Sequence, residues 1–226
     1  MSNLHEEEVE SRWEAAPAVA IAIVLQLTLA LVSQAKGWTL WRLPWWIWLV
    51  SIVPETVLFV ALTWSRPHHR LVQLGRRRNF ALALFGIISA TNALALGALI
   101  GSLLSGQEKS GAELLLKAVT IWSTNVIVFG LWFWALDQGG PVRRLEPDPP
   151  PYDFQFPQLE NPDLAQPGWR THLVDYVYVS FTNSIAFSPT DAMPLTRRAK
   201  LLMLVESSVS AMTILLVAAR AVNILT

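Results

Sequence analysis

The chain has 226 residues, of which 53% are hydrophobic and only 15% are charged, against about 25% charged residues in an ordinary soluble domain. Its 17 basic and 17 acidic residues cancel to a formal charge of zero. This argues against nucleic-acid binding, which needs a clear basic excess. The sequence contains no cysteine, which excludes disulfide scaffolds, cysteine-ligated metal sites and thiol nucleophiles. The composition therefore indicates an integral membrane protein.

Apolar runs long enough to cross a bilayer, about 20 residues each, recur along the chain. The sequence predicts an all-α integral membrane protein with five transmembrane helices and a re-entrant helix and loop before the last one. The first run follows an acidic flank, residues 5–14, where a secretory signal would be basic, so we interpret it as a retained helix. The five predicted spans are Pro17–Ala35, Leu43–Trp64, Phe80–Leu104, Leu114–Leu136 and Leu201–Leu225.

Basic residues predict the orientation, because they concentrate on the cytoplasmic side of a membrane. With five spans, twelve of the 17 basic residues fall on the side of the N-terminus. We therefore expect a multi-pass protein of the cell membrane, with a cytoplasmic N-terminus and an external C-terminus. The twelve residues are Arg12, Arg66, Arg70, Arg76, Arg77, Arg78, Arg143, Arg144, Arg170, Arg197, Arg198 and Lys200.

The chain divides into three predicted regions: a four-helix transmembrane region with an acidic N-terminal flank (1–138), a proline-rich linker (139–170) and a C-terminal hairpin (171–226). Eight prolines between Gly139 and Gly168 exclude a helix or sheet interior and suit extended polyproline stretches. Tyr152, Phe154 and Phe156 alternate with polar residues. Two interpretations stay open for the linker: a solvated tether, or a segment that lies against a neighbour.

The C-terminal region combines a short helix, a sharp break and a full apolar helix. Residues 171–185 suit a helix but are too few and too polar to span a membrane. The break contains Pro189 and Pro194, and the last apolar run follows it. Irregular backbone at membrane depth is tolerated only where it is buried in protein or lines a watery cavity. These parts are typical of a re-entrant pore loop.

This region, Thr171–Thr226, resembles the pore domain of the potassium-channel superfamily. In that family a pore helix leads into the sequence TVGYG, then an Asp, a Pro and a Thr, and then the inner helix. Asp191, Pro194 and Thr196 match the family's Asp, Pro and Thr. The segment is also similar to a group of bacterial membrane proteins with a channel-like C-terminal hairpin. The resemblance implies a homotetramer around a pore, with a permeant ion.

The filter-like loop departs from the family, because both filter glycines are absent. Those glycines allow the backbone conformations that point successive carbonyl groups at the ion, whereas Pro189 fixes its own φ and restricts Ser188. We predict an ion channel without strong potassium selectivity, whose selectivity comes from polar side chains or from a constriction at Phe187. The alternative is a lid or subunit-packing loop without conduction. The loop consists of Ala186, Phe187, Ser188, Pro189, Thr190 and Asp191.

The last helix carries a polar stripe whose members are spaced by 4, 3, 4 and 3 residues, so they lie on one helix face. Such a face in an apolar span should turn to a bundle interior or to water, and we predict that it lines the pore. In the alternative interpretation, the hydroxyl groups bond the preceding turn and Arg220 extends to the surface, which leaves Glu206 unexplained. The stripe consists of Glu206, Ser210, Thr213, Val217 and Arg220.

Glu55 follows Pro54 near the middle of the second predicted span. An intramembrane carboxylate indicates a functional site by default. Ion or proton handling by Glu55 and a structural pairing with another helix both stay open.

Enzymatic motifs are missing from the sequence. It has no phosphate loop, dinucleotide-binding glycine motif, zinc-protease pattern or nucleophile elbow, so we predict no enzyme activity and no cofactor. His68 and His69 are adjacent and do not share a helix face, so we predict no metal site. Two functions remain: an oligomeric ion channel, or a non-conducting scaffold or accessory subunit of a larger membrane complex. The expected partners are the lipid bilayer, other copies of the chain and a permeant ion, with no nucleic acid.

Overall fold

The computed structural model describes residues 2–39, 44–63, 71–106, 110–141, 143–186 and 192–225. These ranges are mostly helical, as the sequence predicts. The helices are α1 (Ser2–Lys36), α2 (Ile47–Thr63), α3 (Leu71–Leu104), α4 (Gly111–Leu136), α5 (Pro157–Glu160), α6 (Leu173–Ala186) and α7 (Arg197–Leu225). Three 3-10 turns lie at Asp137–Gly139, Arg143–Leu145 and Pro162–Leu164. Two short antiparallel strands, β1 (Phe154–Gln155) and β2 (Met193–Pro194), pair with each other.

Four helical segments in the described ranges are long and apolar enough to cross a membrane, which is compatible with a multi-pass membrane protein. They correspond to the first, third, fourth and fifth predicted spans. The second predicted span is α2, whose 17 residues extend about 26 Å, short of the roughly 30 Å of a hydrocarbon core. The five-span count therefore stays a prediction. The four segments are Ala16–Lys36, Arg78–Leu104, Gly111–Gly139 and Arg197–Arg220.

Helix α4 is central, because it packs against α1, α3, α6 and α7. Two apolar clusters hold the bundle together, one towards each end of α4. The first contains Phe129 and Phe133 and packs against the linker residue Phe154. The second contains Leu114 and Ala118, with Val217 of α7 against it. We call the end of the bundle that contains the first cluster the linker end.

Helices α6 and α7 both begin at the linker end. The Tyr176 hydroxyl group, near the start of α6, donates to Asp137 Oδ2 just after α4 at 2.5 Å. The Arg198 side chain, at the start of α7, donates to the carbonyl oxygen of Leu136 at 3.1 Å. Since α6 has 14 residues and α7 has 29, a half-length helix and a full-length helix start side by side. The chain is back at the linker end by Met193, where β2 pairs with β1.

The linker is packed rather than free along residues 153–156. Asp153, Phe154 and Phe156 are buried, and the ring centroids of the two phenylalanines lie 6.2 and 5.3 Å from that of Tyr176. Tyr152, the first of the three alternating aromatic residues, is exposed instead. Of the two interpretations left open by the sequence, packing against a neighbour applies to this part of the linker.

Candidate functional site

Helix α6 presents two contrasting faces. Its buried side chains recur at intervals of three and four residues and so lie on one face. The opposite face is apolar and exposed, which suits lipid or another subunit. The buried side chains are Leu173, Tyr176, Val179, Ser180, Asn183 and Ser184, and the exposed ones are Val174, Tyr178, Phe181 and Ile185.

A buried carboxyl group joins α7 to α6. Glu206 is 0% exposed, and its Oε1 is hydrogen-bonded to Ser180 Oγ. Its Oε2 accepts a hydrogen bond from Asn183 Nδ2 at 2.7 Å. Ser180 Oγ also lies 2.7 Å from the carbonyl oxygen of Val126, so the same contact reaches α4. Through its two contacts, the Ser180 side chain of α6 therefore joins α7 to α4.

Asn125 of α4 extends the polar contact along α7. Its Nδ2 donates to the carbonyl oxygen of Glu206 at 3.1 Å and to Ser210 Oγ at 3.0 Å. Asn183 Nδ2 likewise lies 3.1 Å from the carbonyl oxygen of Met203. We call the group of Asn125, Ser180, Asn183, Glu206 and Ser210 the polar seam.

The predicted stripe on α7 does form one face, and the structure places most of it inside the chain. Glu206, Ser210 and Thr213 are buried, and the first two are bonded to α4 and α6. Val217 is half-buried against the second apolar cluster, and Arg220 is half-buried one turn further. A pore-lining role for this stripe stays a prediction, because a pore axis needs several copies of the chain.

The predicted filter-like loop begins at the last residue of α6. Ala186 ends that helix and is exposed. Phe187, Ser188, Pro189, Thr190 and Asp191 lie outside the described residues. Ala192, the next described residue, is buried in the first apolar cluster.

Glu55 lies away from the polar seam, in the contact between α1 and α2. It is buried, and Gln26 Nε2 of α1 donates a hydrogen bond to its Oε1. Its Oε2 has no hydrogen-bond partner among the described residues. This contact provides a structural pairing with another helix, which is one of the two roles considered for Glu55.

Two aspartates at the linker end were not singled out by the sequence. Asp137 Oδ1 accepts hydrogen bonds from the backbone N–H groups of Asp153 at 2.7 Å and Phe154 at 3.3 Å. Its Oδ2 accepts from the Tyr176 hydroxyl group. Burial raises the pKa of Tyr176, so this hydroxyl group keeps its proton and remains a donor. Asp137 thus fixes the linker and α6 to the end of α4.

Asp153 in turn fixes the start of α7. Its side chain, 1% exposed, forms a two-point ion pair with Arg198, whose side chain is 51% exposed. Thr196 Oγ1 donates to the same carboxylate. We call Asp137, Asp153, Tyr176 and Arg198 the linker clamp. The sequence gives only a weak signal for the linker clamp. That signal is Asp153, an aspartate in the proline-rich linker that comes just before Phe154 and Phe156.

In the described residues, the polar seam provides hydrogen bonds between helices and the linker clamp provides hydrogen bonds and an ion pair. Among the residues that the structure describes, no group of three or more His, Asp or Glu side chains is placed to hold a metal ion. Comparison of the chain with family models, curated proteins and solved structures finds no match in any of the three.

Proposed function

We propose that this chain is a channel-like membrane protein in which copies of the α6–α7 hairpin surround an axis and conduct ions. The observation that supports the proposal is the course of the hairpin: half-length α6 and full-length α7 begin at the same end of the bundle. A half-helix, a short return and a full helix are the parts of a re-entrant pore loop. Four copies in closed cyclic symmetry are the arrangement that the resemblance to potassium channels implies.

The burial of the polar stripe affects which residues would line such a pore. Since Glu206 and Ser210 are turned to α4 and α6 of their own chain, we assign the lining to the loop 186–191 and to the outward face of α7. That face is apolar apart from Ser208, and hydrophobic constrictions gate channels by dewetting. Polar contacts with the ion would then come from Ser188, Thr190 and Asp191. The outward side chains of this face are Leu201, Leu204, Val205, Ser208, Met212 and Leu215.

The proposed orientation puts the linker end in the cytoplasm, because most basic residues belong to that side when five spans are counted. The hairpin would then enter the membrane from the cytoplasm, whereas in potassium channels it enters from outside. Five crossings require α2 to span despite its length. Local thinning of the bilayer accommodates a short apolar helix at modest cost.

Planar-bilayer recording of the purified, reconstituted protein tests the proposal. We expect discrete conductance without a strong preference for potassium over sodium, because the two filter glycines are absent and Pro189 restricts the backbone. Asp191→Asn should lower the cation conductance, whereas Asp163→Asn, in an exposed part of the linker, should not. Reversal potentials that follow potassium alone would contradict the proposed selectivity. Silent bilayers with correctly assembled protein would contradict conduction.

One observation favours a second candidate, a non-conducting scaffold or accessory subunit. The polar groups at the centre of the α7 stripe all have partners within a single chain. The outward face of α7 is apolar apart from Ser208, whose hydroxyl group donates to the carbonyl oxygen of Leu204, so one copy can sit in lipid alone. The oligomeric state separates the two functions. A homotetramer with an axial cavity supports the channel, and a monomer or dimer without one supports the scaffold.

A further inference from the structure

If Glu206 is ionised, Ser180 has one hydrogen too few for its two hydrogen-bond contacts. A serine hydroxyl group has a single hydrogen to donate. Ser180 Oγ lies 2.7 Å from the Val126 carbonyl oxygen and is also hydrogen-bonded to Glu206 Oε1. A carbonyl oxygen has no hydrogen, and an ionised carboxylate has none either. One of the two contacts therefore needs a hydrogen that Ser180 does not supply.

The alternative arrangement is a single hydrogen that both acceptors share. Hydroxyl groups elsewhere in the bundle do share one hydrogen: Thr182 Oγ1 lies 2.9 and 3.0 Å from the carbonyl oxygens of Tyr178 and Val179. Those two acceptors are neighbours on one turn of one helix, where three-centre bonds are common. The acceptors of Ser180 belong to two different helices, α4 and α7, so we infer that one O–H bond is directed at only one of them.

Asn183 does not supply the missing hydrogen. Its Nδ2 has two hydrogens, and its two acceptors are Glu206 Oε2 at 2.7 Å and the carbonyl oxygen of Met203 at 3.1 Å. The hydrogen in the contact between Ser180 and Glu206 is then left to come from Glu206 itself.

The surroundings favour the neutral form of Glu206 as well. The groups that act on its carboxyl group in the described structure are the uncharged Ser180 and Asn183. The charged residues of the helices packed against it lie towards the helix ends: Glu113 and Lys117 on α4, Asp175 on α6, Arg76, Arg77 and Arg78 on α3, and Arg197, Arg198, Lys200 and Arg220 on α7 itself. An unpaired charge at such a position is strongly unfavourable, because it loses its hydration without gaining a partner.

We propose that Glu206 is a proton-binding site: a neutral carboxylic acid that donates its proton to Ser180, while Ser180 donates to the Val126 carbonyl group. The bound proton completes a chain of hydrogen bonds from α7 through α6 to α4. Loss of the proton leaves an anion that competes with Val126 for the one Ser180 hydrogen. The attachment of α6 to α4 therefore weakens as the pH rises through the titration of Glu206. This inference holds whether or not the protein conducts ions.

Infrared spectroscopy of the full-length protein in liposomes tests the proposal directly, because a protonated carboxyl group has a C=O stretch that a carboxylate lacks. We expect this band at neutral pH in the unmodified protein and its loss in Glu206→Gln. The glutamine amide can still donate to Ser180 and accept from Asn183, so assembly should be retained. Glu55→Gln is the matched control, since it removes a different buried carboxyl group and should leave the Glu206 band in place.

Hydrogen exchange of the α6 backbone gives a second measurement that does not depend on the infrared C=O band. After correction for the intrinsic effect of pH, exchange in α6 should accelerate at alkaline pH in the unmodified protein and in Glu55→Gln, but not in Glu206→Gln. A neutral-pH difference spectrum between unmodified protein and Glu206→Gln that contains only carboxylate bands would overturn the proposal. The same pH dependence of α6 exchange in Glu206→Gln would also overturn it.

Discussion

Val177 of α6 lies directly against Gly130 of α4. A Cβ atom at residue 130 would stand 2.8 Å from Val177 Cγ2 and 3.0 Å from Val177 Cα. Both distances are shorter than ordinary van der Waals contact, and the second involves backbone that cannot rotate away. Glycine at this position therefore allows α4 and α6 to approach closely, as small residues do between membrane helices, and it brings Ser180 within reach of Val126.

Gly130→Ala should push α6 away from α4. The added methyl group overpacks the interface, which costs roughly 1–3 kcal/mol, and it weakens the contact between Ser180 and Val126. Thermal unfolding of the detergent-solubilised protein measures the loss. Gly97→Ala on α3 is the control: a Cβ there meets nothing within 4 Å, and alanine suits a helix better than glycine by about 1 kcal/mol. Equal thermal stability of the two variants would show that the approach at Gly130 is unimportant.

Asp153→Asn should loosen the start of α7. The substitution removes the charge that Arg198 and Thr196 bind, and loss of a buried charged partner costs roughly 1–3 kcal/mol. We expect the lower half of that range, because the Arg198 side chain is half-exposed and regains water. Limited proteolysis of the linker and thermal unfolding check this expectation. Asp148→Asn, at an exposed position of the same linker, should change neither, and a matching effect there would argue against the clamp.

The orientation predicted from the basic residues can be read from a reporter fused after Thr226. With five spans and a cytoplasmic N-terminus, alkaline phosphatase at this position should be active, since it folds only outside the cytoplasm. A reporter that works only in the cytoplasm should be silent there. The reverse pattern would contradict the inverted hairpin and would support the orientation found in potassium channels.

The helices could be predicted from the sequence, whereas the contacts between them could not. Apolar runs predicted the bodies of α1, α3, α4 and α7, and the polar, short segment before Pro189 predicted the half-length α6. Helical periodicity also placed Glu206 and Ser210 on one face. Periodicity cannot tell what a face packs against, so the contact of Glu206 with Ser180 and Val126 appeared only in the structure.

The linker shows the same limit. Its prolines correctly exclude long helices and strands, but they say nothing about tertiary packing. The burial of Asp153 depends on the turn after α4, where Gly139 and Gly140 adopt φ values of +77° and +101° that favour glycine. This Gly-Gly pair was a signal for a tight turn. The pair does not indicate that Asp153 is the residue whose backbone N–H group binds Asp137.

Cysteine accessibility tests the central claim, the re-entrant hairpin, most directly, and the chain has no cysteine of its own. Leu164→Cys lies before α6 and Leu195→Cys lies after the loop, both at exposed positions. Ser105→Cys lies just after α3, in the connection to the start of α4 and away from the linker end, and is also exposed. A membrane-impermeant maleimide applied to oriented vesicles should label residues 164 and 195 from the same side and residue 105 from the opposite side. Labelling of residues 164 and 195 from opposite sides would contradict the account, because α6 would then cross the membrane instead of turning back.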